Sequence, residues 1–268
     1  MTSRPTLIGM PYDASSSFLR GAALAPAVIR EALRTPAGNP WAERVVQSVG
    51  AEVLLDAGDL TLPPTAEARS LIEHAVRGLA QEALPFIALG GDHSITYPIL
   101  RGLRAGYRSL TILQIDAHPD LYDEFEGDRF SHACPFARIM EEGLADRLIQ
   151  VGIRAMTGHG RDQAQRFGVE QIDMRAWADG ARPSTAGHVY VSLDLDGLDP
   201  AYAPGVSHRE PGGLSVREVL TLLDTLGGEL IGADIVEFNP NQDIGGMTAS
   251  VAAKLVKELA SQIVVESD

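Results

Sequence analysis

Asp116, His118 and Asp120 alternate in Asp116-Ala117-His118-Pro119-Asp120, directly after the apolar run Leu110-Thr111-Ile112-Leu113-Gln114-Ile115. Alternate side chains of an extended chain share one face, so these groups leave a strand end on the same side. A second alternating pair, Asp194 and Asp196 in Asp194-Leu195-Asp196, follows the run His188-Val189-Tyr190-Val191-Ser192-Leu193. Gly90-Gly91-Asp92-His93-Ser94 closes a third run, Leu84 to Leu89. His93, Asp116, His118, Asp120, Asp194 and Asp196 together offer four carboxylates and two imidazoles, enough negative charge for two divalent cations. Oxygen-rich ligation with some imidazole and no thiolate suits manganese better than a structural zinc site. Two metals about 3.5–4 Å apart share a water and lower its pKa, which makes hydrolysis the natural chemistry. An aspartate standing alone after a strand is ordinarily a cap or turn residue, but capping needs one oxygen, not alternating ligands at three strand ends.

The elements that must position these groups follow a βα rhythm. Short apolar runs with β-branched residues alternate with amphipathic stretches. Strands are expected at Thr6 to Met10, Leu84 to Leu89, Leu110 to Ile115, Leu148 to Ile153, Glu170 to Asp173, His188 to Leu193 and Leu230 to Phe238. Helices are expected at Ala25 to Leu33, Thr65 to Glu82, Ile95 to Leu103, Pro135 to Glu142, Arg161 to Phe167, Ser215 to Leu226 and Met247 to Val264. Near-continuous apolar strands point to a buried parallel sheet. In such sheets ligands gather at the carboxyl ends of strands, where His93, Asp116, Asp194 and Glu237 would all sit.

The 268 residues, 45% of them hydrophobic, fit one large α/β domain spanning 1–268, without repeats, low-complexity stretches or interdomain linkers. A formal net charge of −14 argues against a nucleic-acid surface and favours cationic small molecules, or simply keeps the protein soluble. The single cysteine, Cys134, excludes an intrachain disulfide framework and thiolate-rich metal sites. No stretch approaches the length of a membrane span, and the start lacks the apolar core of a secretory signal. A cytoplasmic protein without membrane or nucleic-acid partners is expected.

These motifs resemble the ureohydrolase family, the arginases and agmatinases, whose signatures read GGDHS, DAHxD and SxDxDxxDP. The last stands here as Ser192-Leu193-Asp194-Leu195-Asp196-Gly197-Leu198-Asp199-Pro200, and the order of the three also matches. The resemblance implies an α/β/α three-layer fold around a parallel sheet of about eight strands. It also implies two manganese ions per subunit on the six residues named, and hydrolysis of a guanidino group to urea and an amine. His132 in Ser131-His132-Ala133 occupies the family's proton-shuttle position. Glu237 in Asp234-Ile235-Val236-Glu237 occupies that of the carboxylate facing the guanidinium, whose planar fork suits two oxygens. In the implied mechanism hydroxide held at the metals attacks the guanidinium carbon and His132 protonates the departing amine. Asp120 both binds metal and accepts a hydrogen bond from the hydroxide, and Asp92 and Asp199 support the site or its turns. A homotrimer or homohexamer is the family's usual assembly.

Within the family, Tyr122 to Gly127, Pro135 to Glu141 and Ala203-Pro204-Gly205-Val206-Ser207-His208 resemble the plant-type arginases, which favours L-arginine. Most agmatinases read GTGT-P after the equivalent Ala-Pro-Gly. Against arginine, the loop after Gly152-Ile153-Arg154 lacks the acid that animal-type arginases use for the α-amino group. Agmatine and guanidinobutyrate therefore stay open, with Ser16, Ser17, Arg20, Tyr122 and His159 as candidates for the substrate entrance. Two readings of other classes remain: a single-zinc deacetylase on a related fold, and a catalytically silent subunit.

Overall fold

In the computed structural model, which describes residues 4–43 and 53–263, eight strands form one parallel sheet. They are β1 (Thr6–Gly9), β2 (Leu55–Asp59), β3 (Phe86–Leu89), β4 (Thr111–Ile115), β5 (Arg147–Val151), β6 (Glu170–Ile172), β7 (His188–Asp194) and β8 (Glu229–Val236). Every residue of β3 and β4, and all but the first of β7 and β8, is buried, as expected of strands covered on both faces. Helices α1 (Ala25–Arg34), α2 (Glu67–Gln81), α3 (Thr96–Leu103), α4 (Pro135–Glu141), α5 (Gly158–Phe167), α6 (Met174–Ala178), α7 (Val216–Asp224) and α8 (Met247–Ile263) fill the connections. No helix among the described residues is long and apolar enough to cross a membrane.

Strand alternation divides the core in two. Ile87, Leu89, Leu113, Ile115, Ala233 and Ile235 join a cluster with Ile29 of α1, Trp177 of α6, Val219 and Leu223 of α7, and Leu255 and Leu259 of α8. Phe86, Ala88, Ile112 and Ile231 point the other way, into a cluster with Ile72 and Val76 of α2, Ile99 and Leu100 of α3, Phe136 of α4 and Ala164 of α5. These are the three expected layers.

The strand order is β2-β1-β3-β8-β7-β4-β5-β6. The chain builds outward to β2 on one side and to β6 on the other, then returns β7 and β8 to the middle. The four central neighbours β3, β8, β7 and β4 therefore carry His93, Glu237, Asp194 and Asp116 at or just past their carboxyl ends. Register aligns them further: Ile115 pairs with Leu193, and Asp194 with Val236. Seven strands and seven helices fall where the sequence places them, within a few residues. The expected helix end at Val264 lies outside the described residues. Two elements were not expected. Strand β2 (Leu-Asp-Ala-Gly-Asp) is largely exposed and offers no apolar run, and α6 is only 5 residues long.

Candidate functional site

The turn after β3 sets the first ligand group. Gly91 presses against the backbone of Tyr12, so closely that a Cβ there would overlap it. The Asp92 carboxylate accepts from Ser94 N at 3.1 Å and Ser15 N at 2.9 Å, which tightens the turn and directs His93 N to Glu237 Oε1 at 2.9 Å. Gly197 does similar work after β7, where a Cβ would sit 2.9 Å from Asp116 N. Asp120 and Glu237 both adopt the left-handed region, with φ of 48° and 62°. Such conformations cost non-glycine residues on the order of 1–3 kcal/mol each, and they persist where the surroundings hold the side chain to a task.

Six side chains meet at this edge. His93 Nδ1 lies 3.2 Å from Asp116 Oδ2, 3.0 Å from Asp120 Oδ2 and 3.1 Å from Asp194 Oδ2. His118 Nδ1 lies 3.1 Å from Asp196 Oδ2 and 3.6 Å from Asp116 Oδ1. His93, Asp116 and Asp194 form one group with the spacing of metal ligands, and Asp116, His118 and Asp196 a second. Asp116 belongs to both and turns one oxygen to each histidine. Asp120 joins the His93 side.

The donor set fits a pair of cations, on three observations. His93 Nδ1 is buried and makes no hydrogen bond, although three carboxylate oxygens surround it. Its tautomer follows from Ser192, which spends its own proton on Asp234 Oδ1 at 2.7 Å and so accepts from His93 Nε2 at 2.9 Å. In the neutral ring Nδ1 is then a lone pair facing three anionic oxygens, which draw either a metal cation or a proton onto it and, against burial, hold the ring's pKa well above its ordinary value. Finally, the carboxylates of Asp116, Asp120, Asp194 and Asp196 are all buried. Uncompensated burial costs several kcal/mol per ion, comparable in sum to the whole stability of a domain. Protein charges leave the excess visible: burial, then the Asp116 carboxylate, raises Asp120 to about 6, and burial with Asp196 and Asp116 pushes Asp194 well up.

An outer set of residues locks the inner one. Gln114, Gln150 and Gln171 stand side by side on β4, β5 and β6. Gln171 Nε2 donates to Gln150 Oε1 (2.7 Å), Gln150 Nε2 to Gln114 Oε1 (2.6 Å) and to Pro119 O (2.7 Å). Gln114 Nε2 donates to Asp116 Oδ2 (2.7 Å) and His118 O (3.1 Å). Arg154 directs its guanidinium to the carbonyls of Gly152, Asp196, Gly197, Leu198 and Glu210, tying β5, the turn after β7 and the Glu210 loop together. Asp234 accepts from Ser192, Thr96 and Tyr190. Asp199 holds the turn by accepting from the backbone of Ala201, Gly212 and Gly213.

A cleft of about 240 Å³ opens above the ligands, and Ser17, Asp120, Tyr122, His132, Thr157, His208, Glu210 and Glu237 are among its walls. His132 Nδ1 lies 3.0 Å from Glu237 Oε1, and its Nε2 2.8 Å from the exposed Ser17 hydroxyl. Burial opposes a charged ring at His132, yet the Glu237 carboxylate, helped by Asp120 and Asp92, outweighs it and lifts the pKa to about 9. The His208 ring, tilted against His132 at 5.3 Å, is held below its ordinary value by burial and then by His132.

Of the residues expected at the entrance, Ser17 and Tyr122 line the cleft. Ser16 bonds Asp92, Arg20 bonds Ala14 O, and His159 stacks behind Tyr122. Thr157 and Glu210 also line the cleft and were not anticipated. The acid of Glu210-Pro211-Gly212-Gly213, one turn past His208, was the available signal.

A parallel α/β/α sheet with paired histidine–carboxylate groups at its central strand ends defines a metal-dependent hydrolase. The chain belongs to the Arginase family, whose model matches residues 3–261. It is 47% identical to "Arginase 1, mitochondrial" of Arabidopsis thaliana, covering 96% of this chain and 80% of that one. It is 36% identical to the N(1)-aminopropylagmatine ureohydrolase of Thermus thermophilus, over 89% of this chain and 84% of that one. The solved arginase of Medicago truncatula superposes with a TM-score of 0.91 at 41% identity, covering 98% of this chain and 88% of that one. The expected fold and family are thus borne out, and the chain is an amidinohydrolase dependent on a binuclear metal centre.

Proposed function

We propose that the chain hydrolyses L-arginine to L-ornithine and urea with two manganese ions held by His93, Asp116, His118, Asp120, Asp194 and Asp196. The observation that carries this reading is the Asp116 carboxylate shared between two ligand groups at the floor of a cleft whose wall presents Glu237. Similarity to arginases supports the substrate, and the oxygen-rich, thiolate-free donor set supports manganese.

Two bound cations would supply the Lewis acidity that makes water a nucleophile near neutral pH. The protein's residues do the rest. Glu237, fixed by His93 N, offers its carboxylate to the planar guanidinium and aligns its carbon over the floor. The surrounding carboxylates favour the positive charge that persists on the tetrahedral species. His132 holds a proton at Nδ1, facing Glu237, and delivers it to the departing amine. The Ser17 hydroxyl on Nε2 gives that ring a path for reprotonation from solvent.

Agmatine is the second reading. One observation favours it: no lysine or arginine is among the described residues lining the cleft, and the charged His132 ring is already paired with Glu237, so an α-carboxylate would meet no free cation. A single-zinc deacetylase or a silent subunit fits less well, because the second ligand group is complete. A homo-oligomer, trimer or hexamer, belongs to the same proposal on the strength of the resemblance, and a cytoplasmic location on the composition with its single cysteine, although the arginase of Arabidopsis thaliana is named mitochondrial. Light scattering and cell fractionation test them.

The deciding experiment is urea release by manganese-loaded protein from equal concentrations of arginine, agmatine and guanidinobutyrate, with a chelated control and a metal count per chain. Preference for arginine with two metals per chain supports the proposal. Preference for agmatine transfers it to the second reading, and one tightly held zinc without urea overturns it.

A further inference from the structure

Glu237 is engaged by His132 and His93, and Asp120, Asp194 and Asp196 belong to the ligand cluster. That leaves Glu210 as the lining carboxylate without a partner of its own among the described residues. No hydrogen bond among the described residues reaches its side chain, which is 43% exposed, and the His118 ring is near it, with Nε2 at 3.9 Å. Its backbone is nevertheless rigid. Arg154 donates to Glu210 O from Nε at 2.9 Å and from Nη2 at 2.6 Å. The same arginine spends its guanidinium on five carbonyls and so is not free to meet a substrate carboxylate. The cleft thus places guanidinium-binding Glu237, which His132 engages, and a second anion with no hydrogen bond of its own on one lining, with no lysine or arginine among the described lining residues.

We infer that Glu210 is the specificity residue for the far end of the substrate and takes a positively charged amine there. The inference deepens the amidinohydrolase reading above and rests on it. It assigns the substrate class as guanidines whose tail carries an ammonium, whether the α-amino group of an amino acid or a simple alkylamine. Guanidino acids lacking an amine bring a carboxylate towards Glu210 and are repelled. The residue does the work that the loop after Arg154, with no acid in it, does not do here.

An alternative role is support of His118 through Nε2, since metal-binding histidines commonly face a second carboxylate. The experiment separates the two. Manganese-loaded wild type and Glu210→Gln are assayed with arginine and guanidinobutyrate, and metal content is measured in both. A charge-assisted hydrogen bond at a partly exposed site predicts a fall of about tenfold in the arginine-to-guanidinobutyrate ratio of kcat/KM, carried by KM for arginine, with metal content retained. Parallel loss for both substrates, loss of metal, or an unchanged ratio overturns the inference. In parallel, calorimetry compares ornithine with 5-aminovalerate, which lacks only the α-amino group, on the same two proteins. The wild type is expected to prefer ornithine by about tenfold and the variant to lose that preference. Equal binding, or none, overturns it. If the wild type releases urea from no guanidine, the proposed function falls, and the calorimetric contrast still decides the role of Glu210.

Discussion

The Ser192 hydroxyl sits 2.9 Å from His93 Nε2 and fixes which ring nitrogen carries the proton, because its own hydrogen is committed to Asp234. A strand residue thereby prepares the lone pair that faces the ligand carboxylates. Ser192→Ala should leave the fold intact and weaken manganese binding by roughly 10- to 100-fold, the usual cost of losing such support. Competitive metal titration reads this, and undiminished affinity would show that packing against Phe136 alone orients the ring.

Asp116 is shared between the two ligand groups, whereas His118 serves one. Asp116→Asn should therefore empty both positions, while His118→Asn should leave about one metal per chain. Elemental analysis after gel filtration gives the count. Equal losses in the two variants would mean that the groups bind cooperatively rather than separately.

Gln150 is the middle rung of a buried amide ladder, and Gln150→Leu would strand Gln114 Oε1, Pro119 O and the Gln171 amide. Each abandoned polar group costs about 1–3 kcal/mol. The midpoint of urea unfolding should fall and manganese affinity should fall with it, because Gln114 also steers Asp116. Lower stability with unchanged affinity would confine the ladder to a structural role.

His132 links pH to stability. Its folded pKa of about 9 lies above the ordinary 6.5, so the charged ring's pairing with Glu237 stabilises the fold fully below pH 6.5. That contribution disappears as pH rises through about 9. In the chelated protein the whole shift amounts to a loss on the order of 3 kcal/mol, of which Glu237 is the largest favourable cause, seen as a steeper decline of wild type than of Glu237→Gln between pH 6.5 and 9. Parallel declines would remove Glu237 as the cause.

What could be read from the sequence was whatever repeats at short spacing. Asp116, His118 and Asp120 alternate over five residues, and the strands before them are apolar enough to declare themselves. The edge strand β2 has no such pattern because solvent, not a second layer, faces most of it. The glutamine ladder is equally silent: Gln114, Gln150 and Gln171 lie on three strands, and only the parallel register brings them together. Arg20 shows the converse error. A cation beside the expected entrance reads as a substrate anchor, yet it is not among the residues lining the cleft and donates instead to Ala14 O. Glu210 lies 90 or more residues beyond the Asp116–Asp120 motif, so its place beside that motif follows from the sheet order, which sets β7 against β4.

The two outermost strands bear on how the protein survives at high concentration. A parallel sheet ends in backbone amides and carbonyls that invite a strand from another molecule. At one side β2 presents Asp56 and Asp59, both drawn into ion pairs with Arg30, and at the other β6 offers just three residues. A foreign strand would have to displace those paired charges on the first side and would find too short a template on the second. The polar character that hides β2 from sequence reading is thus also a guard against fibril-like association through the edges of the sheet.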